Sequence, residues 1–344
     1  MKIAILGAGG TGLAYAALLA DAEHQPVLWS PSGRGLDVIA AQGLIARGAL
    51  AGHFHPGTAP TLAEAVRNAV VILMALPGQA RRPVFDALVP LLGAGQTVIV
   101  SADLSLGAQW LLGRLPNASG VDVLAWSTTV AMGRRPDFGQ VEIGGIRSRV
   151  ETAVLPQSST GAALARCETL FGPRFAEAPG GMAAILLGNL NPPVHMANAL
   201  CNLTRIEKAE PWANYDGITP AVARLIERLD AERLALAASF GIRVRSISEH
   251  FQMSFGLPAD MPLAEMTAEI HRRRNGPAGP KSLDTRFLVE DLPYGIAPLV
   301  DLGARQSVQM SLHAAGLDIL SAACGQDFRA MNEFWDFGES FPLA

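Results

Sequence analysis

Glycines with a distinctive spacing follow a short apolar segment at the start of the chain. The sequence GAGGTG comes directly after KIAIL, and Gly7, Gly9 and Gly12 fit the pattern G-x-G-x-x-G. In this pattern the first glycine permits a tight turn, the second lets backbone approach a pyrophosphate, and the third lets a helix pack closely on a strand. The N–H groups at the start of that helix can then bind phosphate. The residues predicted to bind a dinucleotide here are Gly7, Gly9, Gly10, Thr11 and Gly12.

The segment after the second predicted strand contains no carboxylate. Where NAD is preferred, an Asp or Glu at this point usually binds the ribose 2′-hydroxyl, but this sequence has WSPSGR. Ser30 and Ser32 can donate hydrogen bonds, and Arg34 can make a charge-assisted bond to a 2′-phosphate. We therefore predict NADP(H) as the preferred cofactor and leave the use of NAD(H) open. The alternative is a solvated Arg34 and an enzyme that accepts either cofactor.

Seven histidines supply candidates for acid–base chemistry. His195 differs from the others because GNLNPPV precedes it, and two amides and two prolines beside a histidine suggest a shaped turn or a helix start. Composition alone leaves both a catalytic and a structural role open for this residue. His53 and His55 are spaced like a metal-binding pair, but no Cys or carboxylate lies at ligand spacing beside them. No metal site is therefore predicted.

Apolar segments alternate with helical patterns through the first half of the chain. The predicted strands cover residues 2–6, 26–30, 70–76, 97–101 and 121–127, and two more, of antiparallel arrangement, cover 141–146 and 151–155. This alternation predicts a doubly wound, mostly parallel α/β sheet of the Rossmann type. Ligands of such sheets bind beyond the carboxyl ends of the strands. The residues expected near the nicotinamide at that edge are Leu76, Pro77, Gly78, Ala102, Asp103, Thr128 and Thr129.

Helical patterns replace the alternation after about residue 180. The clearest helix begins at Thr219 and Pro220, an N-cap residue followed by proline at the first helical position, and Gly241 closes it. We therefore predict two domains. A dinucleotide-binding domain covers residues 1–179, and an all-α substrate domain covers residues 180–344.

Composition and charge exclude several other classes of protein. The chain has 344 residues, of which 49% are hydrophobic and 17% charged, with a net charge of −4. These values argue against intrinsic disorder and against nucleic-acid binding. No apolar run is long enough to predict a membrane helix, and glycines interrupt the N-terminal apolar segment where an export signal needs continuity. Three cysteines without apparent pairing predict a cytoplasmic location, and the low charge is compatible with a homodimer interface.

Three motifs together give the chain a resemblance to a known family. They are the glycine loop, then NLNPPVHMANAL with YDGITPAVARLIERLDAERLALAASFG after it, and finally GPKSLDTRFLVEDLPYGIAPLVDLG. In this order they resemble the opine dehydrogenases, which include octopine, nopaline and N-(1-carboxyethyl)norvaline dehydrogenases. The resemblance covers most of the chain. It implies an NAD(P)H-dependent oxidoreductase that condenses an amino acid with a 2-oxo acid, such as pyruvate, and reduces the resulting imine.

The resemblance also implies which residues form the site. The family's catalytic histidine falls on His195 and its partner aspartate on Asp291, although Glu290 is the adjacent carboxylate. A histidine oriented by a carboxylate serves as general acid and base. Both substrates carry carboxylates, so Arg286 is expected as a bidentate clamp. The other expected substrate-binding residues are Thr128 and Thr129, for the oxo-acid carboxylate, and Asn191, for positioning substrate or nicotinamide.

Two other functions remain open from the sequence. One is a simple 2-oxo acid reductase of the ketopantoate type, which would oxidise its cofactor without an amino acid. The other is a non-catalytic NADPH-binding sensor, which would show no turnover at all. The identity of the amino acid and the physiological direction of the reaction are not specified by any motif.

Overall fold

The computed structural model describes residues 1–103, 105–116, 119–274 and 277–334. These residues divide into two compact units, of which the first is Met1–Ile185 and the second begins at Leu186. The strands, numbered β1 to β12 in chain order, are Lys2–Leu6, Gln25–Trp29, Leu44–Gly48, Gly52–Phe54, Gly57–Thr58, Val71–Met74, Thr97–Val100, Asp122–Trp126, Ala131–Arg134, Gln140–Ile146, Val150–Leu155 and Phe175–Glu177. All of these strands lie in the first unit.

The main sheet confirms the predicted doubly wound topology. Its eight strands have the order β12-β11-β8-β7-β6-β1-β2-β5. Every neighbouring pair is parallel except β8 with β11, which are antiparallel. The strand order reverses between β1 and β6, and such a switch point is where doubly wound sheets bind ligands. Strands β6 and β7 are buried at every position because helices cover both faces of the sheet.

A second sheet of four short strands has the order β4-β3-β10-β9. Strand β10 corresponds to the strand predicted at 141–146, and it pairs antiparallel with β9 and parallel with β3. The strand predicted at 151–155 is β11, which belongs to the main sheet. The two predicted strands are thus both present and both have an antiparallel neighbour, but they lie in different sheets.

Helices connect the strands and form the second unit. Numbered α1 to α15 in chain order, they are Gly10–Asp21, Leu36–Gln42, Leu62–Val66, Arg81–Leu88, Gly107–Arg114, Thr160–Phe171, Gly181–Leu187, Asn191–Cys201, Leu203–Glu207, Pro220–Ser239, Ile247–Phe255, Leu263–Arg274, Arg286–Val289, Ala297–Arg305 and Ser311–Cys324. The predicted helix at Thr219 is α10, with Thr219 as its N-cap residue and Pro220 in its first turn. Gly241 follows its end with a positive φ of 69°, which a glycine adopts without strain.

The second unit is helical around α8. This helix packs against α10, α13 and α15, and the unit has its own core, which includes Met196, Ile226 and Leu317. Beyond its helices, the described part of this unit contains one isolated β-bridge, between Ala213 and Ala278.

Two further findings concern the extent of the domains and the membrane. The compact units divide at Ile185 and Leu186, a few residues beyond the boundary predicted between 179 and 180, which stays a prediction. Residues 335–344, the end of the predicted second domain, lie outside the described residues. No helix in the described ranges is both long and apolar enough to cross a membrane.

Candidate active site

A histidine and an aspartate form a hydrogen-bonded pair in the second unit. Helix α8 carries His195, and Asp291 lies between α13 and a single π-helical turn over Leu292–Ile296. Nδ1 of His195 lies 2.7 Å from Oδ2 of Asp291. Since a carboxylate can only accept, the Nδ1–H group donates, and this fixes the ring tautomer with Nε2 as the nitrogen that exchanges protons.

The surroundings of this pair restrict how the imidazole moves. The ring of His195 is stacked on Phe287, with 3.7 Å between ring centroids and 9° between ring planes. Asp291 is completely buried, whereas the His195 side chain keeps 13% of its surface exposed. Among the described residues, no group bonds to Nε2 of His195, and Oδ1 of Asp291 also has no partner. The imidazole of His195 is thus held at Nδ1, while Nε2 is available to a substrate.

Arg286 lies beside the pair on the first turn of α13. Its Nε is 3.9 Å from Oδ2 of Asp291 and 3.8 Å from Oε2 of Glu290. Both distances are long for hydrogen bonds, and half of the Arg286 side chain is exposed, at 52%. The guanidinium therefore keeps its donor groups for another carboxylate while remaining close to His195's partner. Of the two adjacent carboxylates, Asp291 is the one that bonds His195, whereas Glu290 approaches Arg286.

Asn191 begins α8, one helical turn before His195. Residues four apart project from the same face of a helix. Asn191 is exposed, and its backbone N–H donates to Oδ1 of Asn189 at 3.1 Å. The amide side chain thus shares a helix face with the imidazole.

In the first unit, the glycine loop has the geometry that its spacing predicts. Gly7 has a φ of 128°, and a Cβ atom on it would lie 2.6 Å from the Ala75 carbonyl oxygen. Gly12 packs against the Gly7 carbonyl, which allows α1 to approach β1 closely. Gly9 is exposed, and a Cβ atom there would meet nothing within 4 Å. The open space above Gly9 is the space that a pyrophosphate would require.

The start of α1 also suits a phosphate group. Helix α1 has no acidic residue in its first turn and no side-chain cap at Gly9, so its first N–H groups remain available to an anion. Thr11 lies half-buried in that turn. Gly10 has a further role, because a side chain there would clash with Gly133 of β9. The residues present therefore fit a dinucleotide.

The end of β2 adjoins this loop, since the N–H group of Gly7 donates to the Trp29 carbonyl at 2.7 Å. The hydroxyl of Ser30 is buried and has no partner among the described residues. Ser32 is exposed, and its hydroxyl accepts a long hydrogen bond, 3.4 Å, from the backbone N–H group of Arg34. Arg34 is exposed, and its guanidinium forms no hydrogen bond or ion pair with the described residues. An exposed cation thus lies a few residues beyond the end of β2, where NAD-preferring sites carry a carboxylate.

The loops after β6 and β7 are joined by Arg81, a residue that the sequence did not single out. Its buried guanidinium donates to the Leu76 carbonyl at 2.9 Å and to Oδ1 of Asp103 at 3.1 Å. Asp103 also accepts N–H groups at the start of α5. Leu76 is half-buried and Pro77 exposed, so Arg81 holds the backbone of this predicted cofactor-facing loop. No local pattern separates Arg81 from an ordinary surface arginine.

Thr128 and Thr129 are half-buried directly after β8. The next residue, Val130, donates its N–H to the Tyr15 hydroxyl at 3.2 Å, and that hydroxyl is 2.5 Å from the hydroxyl of Ser101. Burial raises the pKa of Tyr15 to about 12, so the phenol stays protonated and keeps this link at ordinary pH. The threonines therefore lie at the carboxyl edge of the sheet on a segment anchored by α1 and β7.

Comparison with known proteins finds a family model that matches part of each half of the chain. The model described as "NAD/NADP octopine/nopaline dehydrogenase, alpha-helical domain" matches residues 180–324. The model described as "NAD-dependent glycerol-3-phosphate dehydrogenase N-terminus" matches residues 2–103. An opine dehydrogenase of Arthrobacter sp. (strain 1C) is 32% identical over 335 residues, which cover 95% of this chain and 91% of that protein.

Solved structures share the fold. An octopine dehydrogenase with NADH and L-arginine matches with a TM-score of 0.77 at 16% identity, covering 94% of this chain and 90% of that one. A yersinopine dehydrogenase with bound NADP+ matches with a TM-score of 0.71 at 16% identity, covering 97% of each chain. At these identities the two structures are informative about the fold alone.

Proposed function

This chain belongs to the NAD/NADP octopine and nopaline dehydrogenase family, and from that membership we propose how its own residues carry out the reaction. It is an NAD(P)-dependent opine dehydrogenase, an oxidoreductase acting on CH–NH bonds. The proposed reaction joins an amino acid to a 2-oxo acid such as pyruvate and reduces the resulting imine. The hydrogen bond between His195 and Asp291 carries this assignment, because imine chemistry needs a proton donor held in place.

His195 is proposed to move the protons. Its Nε2 accepts a proton from the ammonium group of the amino acid, and the free amine then adds to the 2-oxo carbon. An ammonium proton of this adduct passes to its alkoxide oxygen, and His195 then returns its own proton to the resulting hydroxyl, which leaves as water and yields an iminium ion. The hydride that reduces the iminium carbon to the secondary amine would come from NAD(P)H when it is bound.

Asp291 is proposed to orient His195 and to stabilise its protonated form. A buried carboxylate 2.7 Å from Nδ1 holds the ring in one tautomer, and its negative charge offsets the positive charge that develops on the imidazole. The flat contact with Phe287 limits rotation of the ring. Together these contacts present Nε2 in one direction.

The substrate carboxylates need cations and hydrogen-bond donors. Arg286 is proposed to bind one carboxylate bidentately, which its half-exposed side chain and the absence of short bonds to Glu290 support. Thr128 and Thr129 are proposed to bind the oxo-acid carboxylate. Asn191 is proposed to position substrate or nicotinamide, supported by its place one turn before His195 on α8.

The cofactor is proposed to bind along the carboxyl edge of the main sheet. The residues proposed to contact it are Gly7, Gly9, Gly10, Thr11, Gly12, Ser30, Ser32, Arg34, Leu76 and Pro77. The unobstructed space above Gly9 supports a pyrophosphate there, and the exposed Arg34 supports a preference for NADP(H) over NAD(H). The ratio of catalytic efficiencies with the two cofactors tests this preference, and a clear advantage of NADH contradicts it.

We also propose a cytoplasmic location and a homodimer. All three cysteines, Cys167, Cys201 and Cys324, are described and free, and burial raises the pKa of the Cys167 thiol to about 12. Unoxidised cysteines are typical of a reducing compartment. A measurement of mass in solution tests the dimer, since a monomer would contradict it.

A spectrophotometric screen tests the function. NADPH oxidation is followed while pyruvate, oxaloacetate and 2-oxoglutarate are each crossed with the common amino acids. Oxidation that requires both an amino acid and a 2-oxo acid is expected. Oxidation by the 2-oxo acid alone would instead indicate a simple reductase, and cofactor binding without turnover would indicate a sensor.

A variant at the histidine links this activity to the proposed residues. His195→Ala should lower turnover by roughly 10²- to 10⁴-fold, because it removes the general acid and base. Cofactor affinity should stay the same, since the glycine loop is unaltered. Turnover close to that of the unmodified enzyme would contradict the assigned role of His195.

A further inference from the structure

Arg135 follows β9 and contacts the glycine loop from the second sheet. Its Nη1 donates to the carbonyl oxygen of Ala8 at 3.1 Å. Close packing of Gly10 against Gly133 brings β9 to the start of α1 and so delivers Arg135 to this loop. A cation therefore lies at the phosphate-binding loop although it belongs to a different sheet.

Phe138 connects this arginine to the loop after β2. The guanidinium carbon of Arg135 lies 5.1 Å from the centre of the Phe138 ring, within the range of a cation–π contact. The same ring lies against the backbone of Gly35, where a side chain would have no room. Gly35 is the residue after Arg34, so Arg135 is held between the glycine loop and the segment that carries Arg34.

The neighbouring arginine differs in its charge environment. Arg134 forms an ion pair with Glu142 on β10. Arg135 is exposed, and among the described residues it has no carboxylate partner, its contacts being the Ala8 carbonyl and the Phe138 ring. Its remaining N–H groups are thus available to an anion that binds beside the loop.

We infer that Arg135 is a second cation for the 2′-phosphate of NADP(H), acting with Arg34. In a Rossmann domain the adenosine ribose lies between the glycine loop and the end of the second strand, which are the two segments that Arg135 touches directly and through Phe138. A planar guanidinium with free donors suits a phosphate. This inference rests on the NADP(H) preference proposed above, and it adds a residue from outside the dinucleotide-binding motif.

Direct binding measurements test the inference without any turnover. Dissociation constants for NADPH and NADH are measured by fluorescence titration for the unmodified protein, Arg135→Gln and the control Arg134→Gln. Loss of a charge-assisted hydrogen bond predicts NADPH binding about tenfold or more weaker in Arg135→Gln, with NADH binding nearly unchanged. Arg134→Gln should change neither constant appreciably. Adenosine 2′,5′-bisphosphate should show the same loss as NADPH, and 5′-AMP should not.

The possible failures are distinguishable. An unmodified protein that binds NADH more tightly than NADPH refutes the proposed cofactor preference itself. If the unmodified protein prefers NADPH but Arg135→Gln keeps the same ratio, only the role of Arg135 is refuted. An equal loss for NADH and NADPH also overturns it, because that result indicates a contact with the pyrophosphate or a disturbed loop. Equal melting temperatures of the variants show that the fold is intact.

Discussion

Replacing Asp291 by asparagine isolates the charge of the carboxylate from its shape. Asparagine has the same volume, so it fits the buried position. Its amide group, however, carries no charge, and its NH2 group can donate to Nδ1 of His195. Such a bond favours the tautomer with the proton on Nε2, so Nε2 can no longer accept one. Asp291→Asn should therefore impair proton transfer without removing the histidine.

The size of the effect follows from the distance between the two groups. With Nδ1 and Oδ2 separated by 2.7 Å, the centres of charge lie about 4 Å apart, and at an effective dielectric constant of about 20 their attraction is about 4 kcal/mol. Each 1.36 kcal/mol of lost transition-state stabilisation lowers the rate roughly tenfold. Because the proposed imidazole carries positive charge during proton transfer, we expect turnover to fall about 10³-fold.

The assay measures kcat for formation of the secondary amine together with the dissociation constant of NADPH. Glu290→Gln is the matched control, because Glu290 is the adjacent carboxylate but lies near Arg286 and does not bond His195. Its kcat should change little. A kcat for Asp291→Asn within about threefold of the unmodified value, with the fold intact, would refute the reasoning, as would an equal loss in the control.

Two further predictions concern the cofactor loop and acid stability. Gly9→Val should weaken NADPH binding by more than about tenfold at an unchanged melting temperature, because the side chain fills open space; unchanged affinity in a titration would contradict the assigned loop. Burial raises the pKa of the Glu232 carboxyl, but hydrogen bonds from His313 and from the backbone N–H of Leu312 outweigh this and hold the pKa below its ordinary value. Glu232 thus stabilises the fold above its unfolded pKa, and this stabilisation is lost as pH falls through the lower folded value. Melting temperatures of Glu232→Gln should depend less on pH in that acid range, and an identical pH dependence would exclude the effect.

The sequence predicts the main sheet because its strands carry a strong local signal. Strands such as Val71–Met74 are continuous apolar segments followed by Pro and Gly, and a buried parallel strand needs this composition. In the second sheet, only the strand Gln140–Ile146 is predicted from its sequence. Strands Leu44–Gly48 and Ala131–Arg134 alternate buried and exposed residues imperfectly, and both include glycine. Their sequences therefore resemble those of loops, and they join a sheet because each pairs with Gln140–Ile146.

The candidate site was predictable only where its residues follow a local sequence pattern. The spacing of Gly7, Gly9 and Gly12 encodes a turn and a helix start within six residues, so sequence alone specifies the loop. Phe287 could not be predicted to stack on His195, since an apolar residue on a short helix is ordinarily core. Arg135 gave no signal either, because its partner Ala8 is 127 residues away.

Patterns within short stretches of the sequence predict a dinucleotide loop, an alternating α/β half and a helical half, and the order of the motifs indicates the family. These features depend on contacts between residues near one another in the chain. The family resemblance predicts that His195 and Asp291 form a pair, but they are 96 residues apart, and the contact between them is seen only in the folded chain, where α8 packs against α13. Local spacing cannot encode such a contact, because it depends on how separate helices bury their apolar faces against one another.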